Sequence, residues 1–272
     1  MKTLFLAAML LVLATIPAGC GGGGDEGGPV IITGPGLVGI DDSADATAPL
    51  LIVTYTVPPS TDLVTVNILS DPASDGDIAF DSILNTFTVT AGPPEVLFGE
   101  DSANVNRPEF RAFLTFPLDG VTGQPVLPSD AVIDSARLEV LVNQVKFASD
   151  VPAFLDLVQY PFRGLSETDF NAPILTPTSF STLNFFSGDQ GNFVGIDVTS
   201  LVQEAQVPPA LLDFQVRFSL ETSGASSAAR ATSAKAARSV YPPMRTLDKI
   251  VLNRGASSAK PLTPETLMSR RR

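Results

Sequence analysis

The chain has 272 residues, of which 44% are hydrophobic, enough for one large all-β domain or two small ones. It contains no His, which excludes catalysis by imidazole, Ser-His-Asp triads and His-ligated zinc. Residues 1–221 carry 7 Lys and Arg against 27 Asp and Glu, and an acidic body of this kind argues against nucleic acid as a partner.

The first 19 residues are typical of an export signal. An apolar run from Leu4 to Ile16 follows the basic Lys2 and is short for a membrane span. The sequence Ala-Gly-Cys ending at Cys20 resembles a bacterial lipobox, in which the Cys is lipidated and becomes the first residue of the mature protein. Pro17 departs from that pattern, because an aliphatic residue is usual there. The alternative is an ordinary cleaved signal with an incidental Cys.

Residues 20–48 are predicted to be a flexible tether. Cys20 is the only Cys of the chain, so a structural disulfide is excluded, and a Gly-rich run follows it. Together these features predict an exported lipoprotein held on a membrane by its lipid. By resemblance to lipoprotein sorting rules, Gly21 indicates the outer membrane or cell surface if the host is Gram-negative.

The segment 49–110 combines strands with an acidic stretch. Branched and aromatic residues predict strands over 49–58, 63–69 and 85–90. Between the last two lie four carboxylates around a Gly, namely Asp71, Asp75, Asp77 and Asp81. Such oxygen ligands are those that Ca²⁺ prefers, although the spacing does not match an EF-hand loop. A solvated acidic turn is the alternative interpretation.

Two alternating segments, 110–118 and 132–142, are predicted to be neighbouring strands and to form the centre of the domain. In the second, Ala136, Leu138 and Val140 point one way, while Arg137 and Glu139 point the other. Further strands are predicted over 154–162, 195–198 and 214–220, separated by a loop-rich stretch.

One short helix is predicted in the body of the protein. Ser200 and Gln203 have the spacing of a capping box, and Pro208 limits the helix at its other end. The strands and this helix indicate an all-β fold, an antiparallel β-sandwich that occupies residues 49–221.

Four segments in order carry a family resemblance: RAFLTFPL, LPSDAVIDSARLEVLV, IDVTSLVQEA and FQVRFSLE. Over about residues 64–221 the chain resembles the DNRLRE-type domain, a jelly-roll β-sandwich related to carbohydrate-binding modules of extracellular proteins. The resemblance implies a jelly-roll-like fold and matches Arg111 to the Arg that recurs in one strand of the family. We expect Arg111 to pair with Asp197 across the sandwich, because a partly buried Arg needs a carboxylate or carbonyl partner.

The chain departs from the family pattern in three respects. The string that names the family is absent, and so are its Trp residues, with Phe170 as the candidate replacement for one of them. No final strand is recognisable after Leu220, whereas PLLIVTYT at 49–56 resembles that strand at the wrong end of the domain. It is either the remnant of a preceding repeat or a permuted strand that completes the sandwich.

The segment NFFSGDQGNF has the composition of a ligand loop, with aromatic, acidic and amide side chains. Its candidate residues are Phe185, Phe186, Asp189, Gln190 and Asn192. The alternative is a loop whose Phe side chains anchor it in the core.

Residues 222–272 form a basic tail with 10 Lys and Arg against 2 Asp and Glu. With few large apolar residues, the tail is predicted to be mostly disordered. It is a solvated tail, a gene-end artefact or a basic binding arm.

The leading functional hypothesis is a surface-anchored binding or adhesion module without catalytic residues, with polysaccharide as the partner. A structural unit that docks an envelope protein is the second hypothesis. A glycosidase, which needs two carboxylates at a defined separation, is the third, and no local motif indicates such a pair.

Overall fold

The computed structural model describes residues 35–43, 46–175, 181–221 and 238–243. Cys20, the predicted export signal and most of the basic tail lie outside the described residues. The described strands, in chain order, are β1 (Leu37–Asp41), β2 (Leu50–Thr56), β3 (Val64–Leu69), β4 (Gly76–Asp81), β5 (Thr86–Ala91), β6 (Glu95–Glu100), β7 (Glu109–Pro117), β8 (Val132–Lys146), β9 (Asp150–Val158), β10 (Ser181–Phe186), β11 (Phe193–Asp197), β12 (Asp213–Leu220) and β13 (Arg238–Tyr241).

The strands form one curled antiparallel sheet that doubles over into two layers. The first layer runs β10-β9-β12-β7-β6-β1, with the β4–β5 hairpin also attached to β7. The second runs β3-β2-β8-β11-β13. The predicted fold class is confirmed: the described residues form an all-β, sandwich-like fold with one short α-helix.

The long strand β8 belongs to both layers. Its first part pairs with β2 and β11, and its last residues pair with β1, with local register shifts opposite Gly39 and Thr54. Ala136, Leu138 and Val140 face the core, as their alternation predicts. They pack against apolar side chains of the other layer, including Leu114, Phe116, Val216 and Phe218.

Both faces of β7 are buried, although one of them carries polar residues. Arg111, Phe113 and Thr115 face away from the main core, and the segment 159–175 crosses over them. Arg111 Nη1 and Arg217 Nη1 both donate to the carbonyl oxygen of Phe170, at 2.6 and 3.1 Å. These two hydrogen bonds hold the crossing segment, which includes the short 3-10 turn Glu167–Asn171, against the sheet.

The structure corrects the predicted domain bounds at both ends. The sandwich starts at β1, inside the segment 20–48 assigned to the tether, and β1 lies between β6 and β8. A strand also follows Leu220, because β13 pairs with β11 at an edge of the second layer. Its sequence RSVY is short and lies in a polar, Ala-rich stretch, which hid it from pattern analysis.

The segment 50–56 is a strand of this sandwich, as the permuted-strand hypothesis requires, and forms β2 between β3 and β8. It does not lie beside β12, whose neighbours are β7 and β9. The strands β4, β6 and β10 were not predicted. In β4 the carboxylates Asp77 and Asp81 disguised the alternation of Ile78 and Phe80.

The predicted helix is α1 (Thr199–Ala205), but Ser200 does not cap it. Instead Asp197 Oδ1 accepts hydrogen bonds from the backbone N–H and the hydroxyl of Thr199, at 3.0 and 2.7 Å. In the part of the chain that the structure describes, no helix is long and apolar enough to cross a membrane.

The ion pair of Arg217 and Asp156 offers a test of this packing. The pair is buried, with Arg217 Nη2 2.9 Å from Asp156 Oδ2. We expect Arg217→Leu to lower the free energy of unfolding by about 3 to 5 kcal/mol, because it leaves a buried carboxylate without its cation. Urea unfolding measures the change.

Arg107→Leu is the matched control, because Arg107 pairs with Glu100 but its side chain is 56% exposed. This control should lower the free energy of unfolding by less than about 1 kcal/mol. Equal losses for the two variants would contradict the structural role of the buried pair.

Candidate ligand-binding groove

A groove of about 440 Å³ crosses the outer face of the second layer. It lies over the four neighbouring strands β2, β8, β11 and β13, on the side opposite the core. Side-chain alternation places Ile52, Arg137 and Gly195 on this face, whereas Ala136, which also borders the groove, has its side chain in the core. The residues that line the groove are Ile52, Thr54, Ser135, Ala136, Arg137, Gly195, Asp197, Thr199, Arg238 and Ser239.

Arg137 lies at the centre of the groove. The register places it beside Ile52 on one neighbouring strand and Asp197 on the other. Its Nη2 donates to Ser239 Oγ, its Nε lies 3.4 Å from Glu139 Oε1, and its Cζ lies 5.2 Å from the ring centroid of Tyr241. The Arg137 side chain is 41% exposed, so these contacts orient the guanidinium without enclosing it.

Gly195 makes room for that guanidinium. A Cβ atom at position 195 would lie 2.2 Å from Arg137 Nη2 and 2.3 Å from Nε. The guanidinium therefore lies flat against the backbone of β11, in space that any other residue would fill. This contact explains why a Gly is tolerated between the core residues Val194 and Ile196 of a strand.

Hydroxyl groups line the groove near Arg137. Thr54 Oγ1 lies 2.9 Å from Thr65 Oγ1 on the adjacent strand, and Ser135 is opposite Thr54 in the register. Thr199 Oγ1 accepts from the backbone N–H of Ala136 at 2.9 Å. Hydroxyl groups, a carboxylate at Asp197 and a guanidinium in one groove are suited to a ligand rich in hydroxyl groups.

The predicted ligand loop adjoins the groove through one ion pair. Asp189 Oδ2 accepts from Arg238 Nη2 and from the backbone N–H of Phe186, the latter at 2.6 Å. Arg238 Cζ also lies 5.0 Å from the ring centroid of Phe186. Asp189 is buried, so it positions the groove residue Arg238 and is not itself open to a ligand.

The other loop residues have structural positions. Phe185 is fully buried, and its ring centroid lies 5.1 Å from that of Phe98. Asn192 Nδ2 donates to the carbonyl oxygens of Gly188 and Gln190, at 3.2 and 3.3 Å. Phe186 and Gln190 remain exposed. The structure thus does not bring the five predicted residues together as a site.

The expected pair of Arg111 with Asp197 is wrong. Arg111 Nε lies 2.8 Å from Glu109 Oε1, and its Nη1 donates hydrogen bonds to the carbonyl oxygen of Phe170 and to Asn171 Oδ1. Its Cζ lies 3.8 Å from the Phe170 ring centroid. Arg111 belongs to the first layer, whereas Asp197 is exposed on the second and accepts hydrogen bonds from Thr199 at the start of α1. The Arg does have carbonyl and carboxylate partners, but they come from its own strand and the crossing segment.

The four predicted metal ligands do not converge. Asp71 pairs with Arg163, Asp75 Oδ1 accepts the N–H of Thr115 at 2.6 Å, and Asp77 Oδ2 accepts the N–H of Leu97 at 3.1 Å. Asp81, by contrast, accepts the N–H groups of two turn residues and is far more exposed. Within the described ranges no three carboxylates are grouped so that they could hold a metal ion.

The alternative of a solvated acidic turn is also wrong for three of these residues. Asp71, Asp75 and Asp77 are buried. Asp77 lies in β4, which is paired on both sides, and Asp71 and Asp75 hydrogen-bond the backbone of Thr115 in β7. Burial raises the pKa of Asp77 to about 6 and that of Asp75 well above its usual range. Hydrogen bonds from backbone N–H groups, led by that of Leu84, lower the pKa of Asp81.

Comparison of the chain with known proteins gives no match to a family model, to a curated protein or to a solved structure.

The raised pKa of Asp77 predicts a loss of stability with rising pH. The Asp77 carboxyl group holds its proton more tightly in the folded state than in the unfolded chain. The free energy of unfolding therefore falls as the pH rises from about 4 to about 7. Asp77→Asn removes the ionisation and keeps an oxygen acceptor for Leu97. Across this interval the free energy of unfolding of the variant should rise by roughly 3 kcal/mol relative to the wild type, because each unit of pKa difference corresponds to 1.36 kcal/mol.

Urea unfolding at a series of pH values measures that difference. Asp130→Asn, at an exposed position, is the control and should follow the wild type at every pH. A difference between Asp77→Asn and the wild type that does not change with pH would contradict the raised pKa.

Proposed function

We propose that the protein is a non-catalytic binding module of the cell envelope and that the groove around Arg137 holds a polysaccharide chain. The groove carries this proposal, because a guanidinium held flat over Gly195 is surrounded by hydroxyls and a carboxylate on a rigid sheet. Guanidinium and carboxylate groups form strong, directional hydrogen bonds with the hydroxyls of a sugar.

The position of the groove on the sheet supports a polymer as the ligand. Its lining residues come from four neighbouring strands, so a chain laid across the sheet could contact several strands at once. Tyr241 supplies an aromatic ring at one side, stacked on Phe193 with centroids 5.7 Å apart. Since the chain has no Trp, hydrogen bonds contribute more to this interface than stacking does.

Binding without hydrolysis fits the groove better than a glycosidase does. Asp197 is the one carboxylate among the described residues that line it. Its Oδ1 already accepts two hydrogen bonds from Thr199. Glycoside hydrolysis usually uses two carboxyl groups on opposite sides of the bond that is cleaved.

A second candidate function is docking of an envelope protein, and a different surface favours it. The tip of the β4–β5 hairpin exposes Ile83 and Leu84, which are 70% and 63% exposed. A hydrogen bond of 2.6 Å from Asn106 Nδ2 to Asp81 Oδ2 joins this tip to a loop with Val105, which is 91% exposed. Ordered loops that present aliphatic side chains are typical of protein contacts.

The groove is tested by binding of the full-length protein to an array of immobilised polysaccharides, followed by titration with the best ligand. We expect Arg137→Ala to weaken binding roughly tenfold to hundredfold, because it removes charge-assisted hydrogen bonds of about 1.5 to 3 kcal/mol. Gly195→Val should weaken binding as well, since it displaces the guanidinium.

Arg107→Ala, on an exposed ion pair outside the groove, is the matched control and should bind like the wild type. Absence of binding to any polysaccharide would contradict the sugar proposal, and a stoichiometric protein partner in envelope extract would support docking instead.

Anchoring by a lipid is part of the same proposal and depends on Cys20. We expect the protein to incorporate labelled palmitate in a bacterial host and to fractionate with membranes. Cys20→Ala should abolish the label and release the protein, because a lipid chain stabilises membrane binding by about 0.8 kcal/mol per buried CH₂ group. Label that persists in the variant would contradict lipidation at this residue.

A further inference from the structure

A second cavity, of about 360 Å³, lies at the end of the sandwich where β1 and β3 finish. Its lining is rich in oxygen atoms and includes Asp42, Ser70, Asp71, Thr122, Gln124 and Arg163. It shares no residue with the groove around Arg137.

Two oxygen atoms of this cavity have unused hydrogen-bonding capacity. Asp42 is 5% exposed; its Oδ1 accepts from Ser70 Oγ at 3.3 Å, whereas its Oδ2 has no hydrogen-bond partner among the described residues. Thr122 Oγ1 is likewise buried and without such a partner in the described part of the chain. Buried polar atoms are normally satisfied, so two unsatisfied oxygens on residues that line one cavity indicate that a ligand binds there.

Asp75 adds a second buried carboxyl group to this region. It is completely buried; its Oδ1 accepts from Thr115, and its Oδ2 has no hydrogen-bond partner among the residues that the structure describes. Burial and then the negative charge of Asp42 raise the pKa of Asp75, and burial raises the pKa of Asp42 to about 7. Hydrogen bonds place the two groups near each other: the N–H of Asp75 donates to the carbonyl oxygen of Asp71 at 3.0 Å, and Ser70, the neighbour of Asp71 in the chain, donates to Asp42.

The nearby positive charge is already used. Arg163 donates to both carboxylate oxygens of Asp71, at 3.0 and 3.2 Å, so this pair is neutral. Asp41, the other acidic residue near Asp42, accepts from Ser43 and Thr47 and adds further negative charge. Among the described residues no cation pairs with Asp42 or Asp75, and together they carry two negative charges when ionised.

We propose that this cavity binds a hard divalent cation, for which Ca²⁺ is the best match, with Asp42 as the main ligand. Ser70, Thr122 and Gln124 offer hydroxyl and amide oxygens beside it, and Asp75 supplies the second negative charge. Ca²⁺ prefers oxygen ligands of these kinds and accepts water in the remaining positions. This site uses two carboxylates and differs from the acidic stretch 71–81 proposed from the sequence. Its main ligand, Asp42, lies about thirty residues before that stretch.

Calcium binding to the full-length, EDTA-treated protein tests the proposal by isothermal titration calorimetry at pH 7.5. We expect one Ca²⁺ per chain and a higher melting temperature in CaCl₂ than in EDTA. Terbium should bind the same site and emit on excitation of tyrosine, because Tyr160 is close by. The Tyr160 hydroxyl lies 2.6 Å from Thr115 Oγ1, and the Thr115 N–H donates to Asp75 Oδ1.

Asp42→Asn should lower the calcium affinity at least tenfold, and Thr122→Val should lower it while leaving the charge intact. Asp62→Asn, at an exposed position near the start of β3, is the matched control and should bind like the wild type.

No heat of binding and no change in melting temperature at millimolar CaCl₂ would overturn the proposal. So would Asp42→Asn with wild-type affinity. A wild type that binds no Ca²⁺, together with an Asp42→Asn variant that is more stable than it in EDTA at pH 8, would instead assign a shared proton to the two carboxyl groups. If Asp42→Asn fails to fold, Thr122→Val and the wild-type titration still decide.

Discussion

The pairing of β8 is the constraint on which the rest of the structure depends. Its 15 residues form ladders with β1, β2 and β11, so this strand joins the two layers of the sandwich. Alternation then sends Ala136, Leu138 and Val140 into the core and Arg137 to the opposite face. A register shift of one residue would bury the guanidinium and expose the core residues, so core packing and the position of the groove are specified together.

The two layers differ in what covers their outer faces. Segment 159–175 closes the first layer, where Arg111 and Arg217 bind the carbonyl oxygen of Phe170 and where Asp156 neutralises Arg217. On the second layer the corresponding face has the open groove, with Arg137 only partly covered by its neighbours. Arg111 and Arg217 on the first layer therefore fasten a loop, whereas the Arg137 side chain on the second layer remains 41% exposed in the groove.

The acidic residues divide in the same way between structure and candidate chemistry. Strand β4 sends Asp77 towards the backbone of β6, and Asp81 organises the turn that follows. Asp75 instead lies near Asp42, which directly follows β1 and is more than thirty positions earlier in the chain: Asp75 donates to Asp71, and the adjacent Ser70 donates to Asp42. Long-range pairing of strands thus separated carboxylates that are close in sequence and joined two that are not. Burial in a medium of low polarity makes that second arrangement a candidate cation site.

The sequence by itself determined the β-rich class, the core face of β8, the positions of β2, β3, β5 and β12, and the short helix, because period-two alternation and turn residues are local signals. It also indicated that Arg137 faces away from the core. Only the tertiary structure decided which residues surround Arg137, that Arg111 bonds Phe170 instead of Asp197, and that Asp42 approaches Asp75. Those contacts join segments that are far apart in the chain. Strand order and register decide which residues meet, and the alternation along a single strand encodes neither of them.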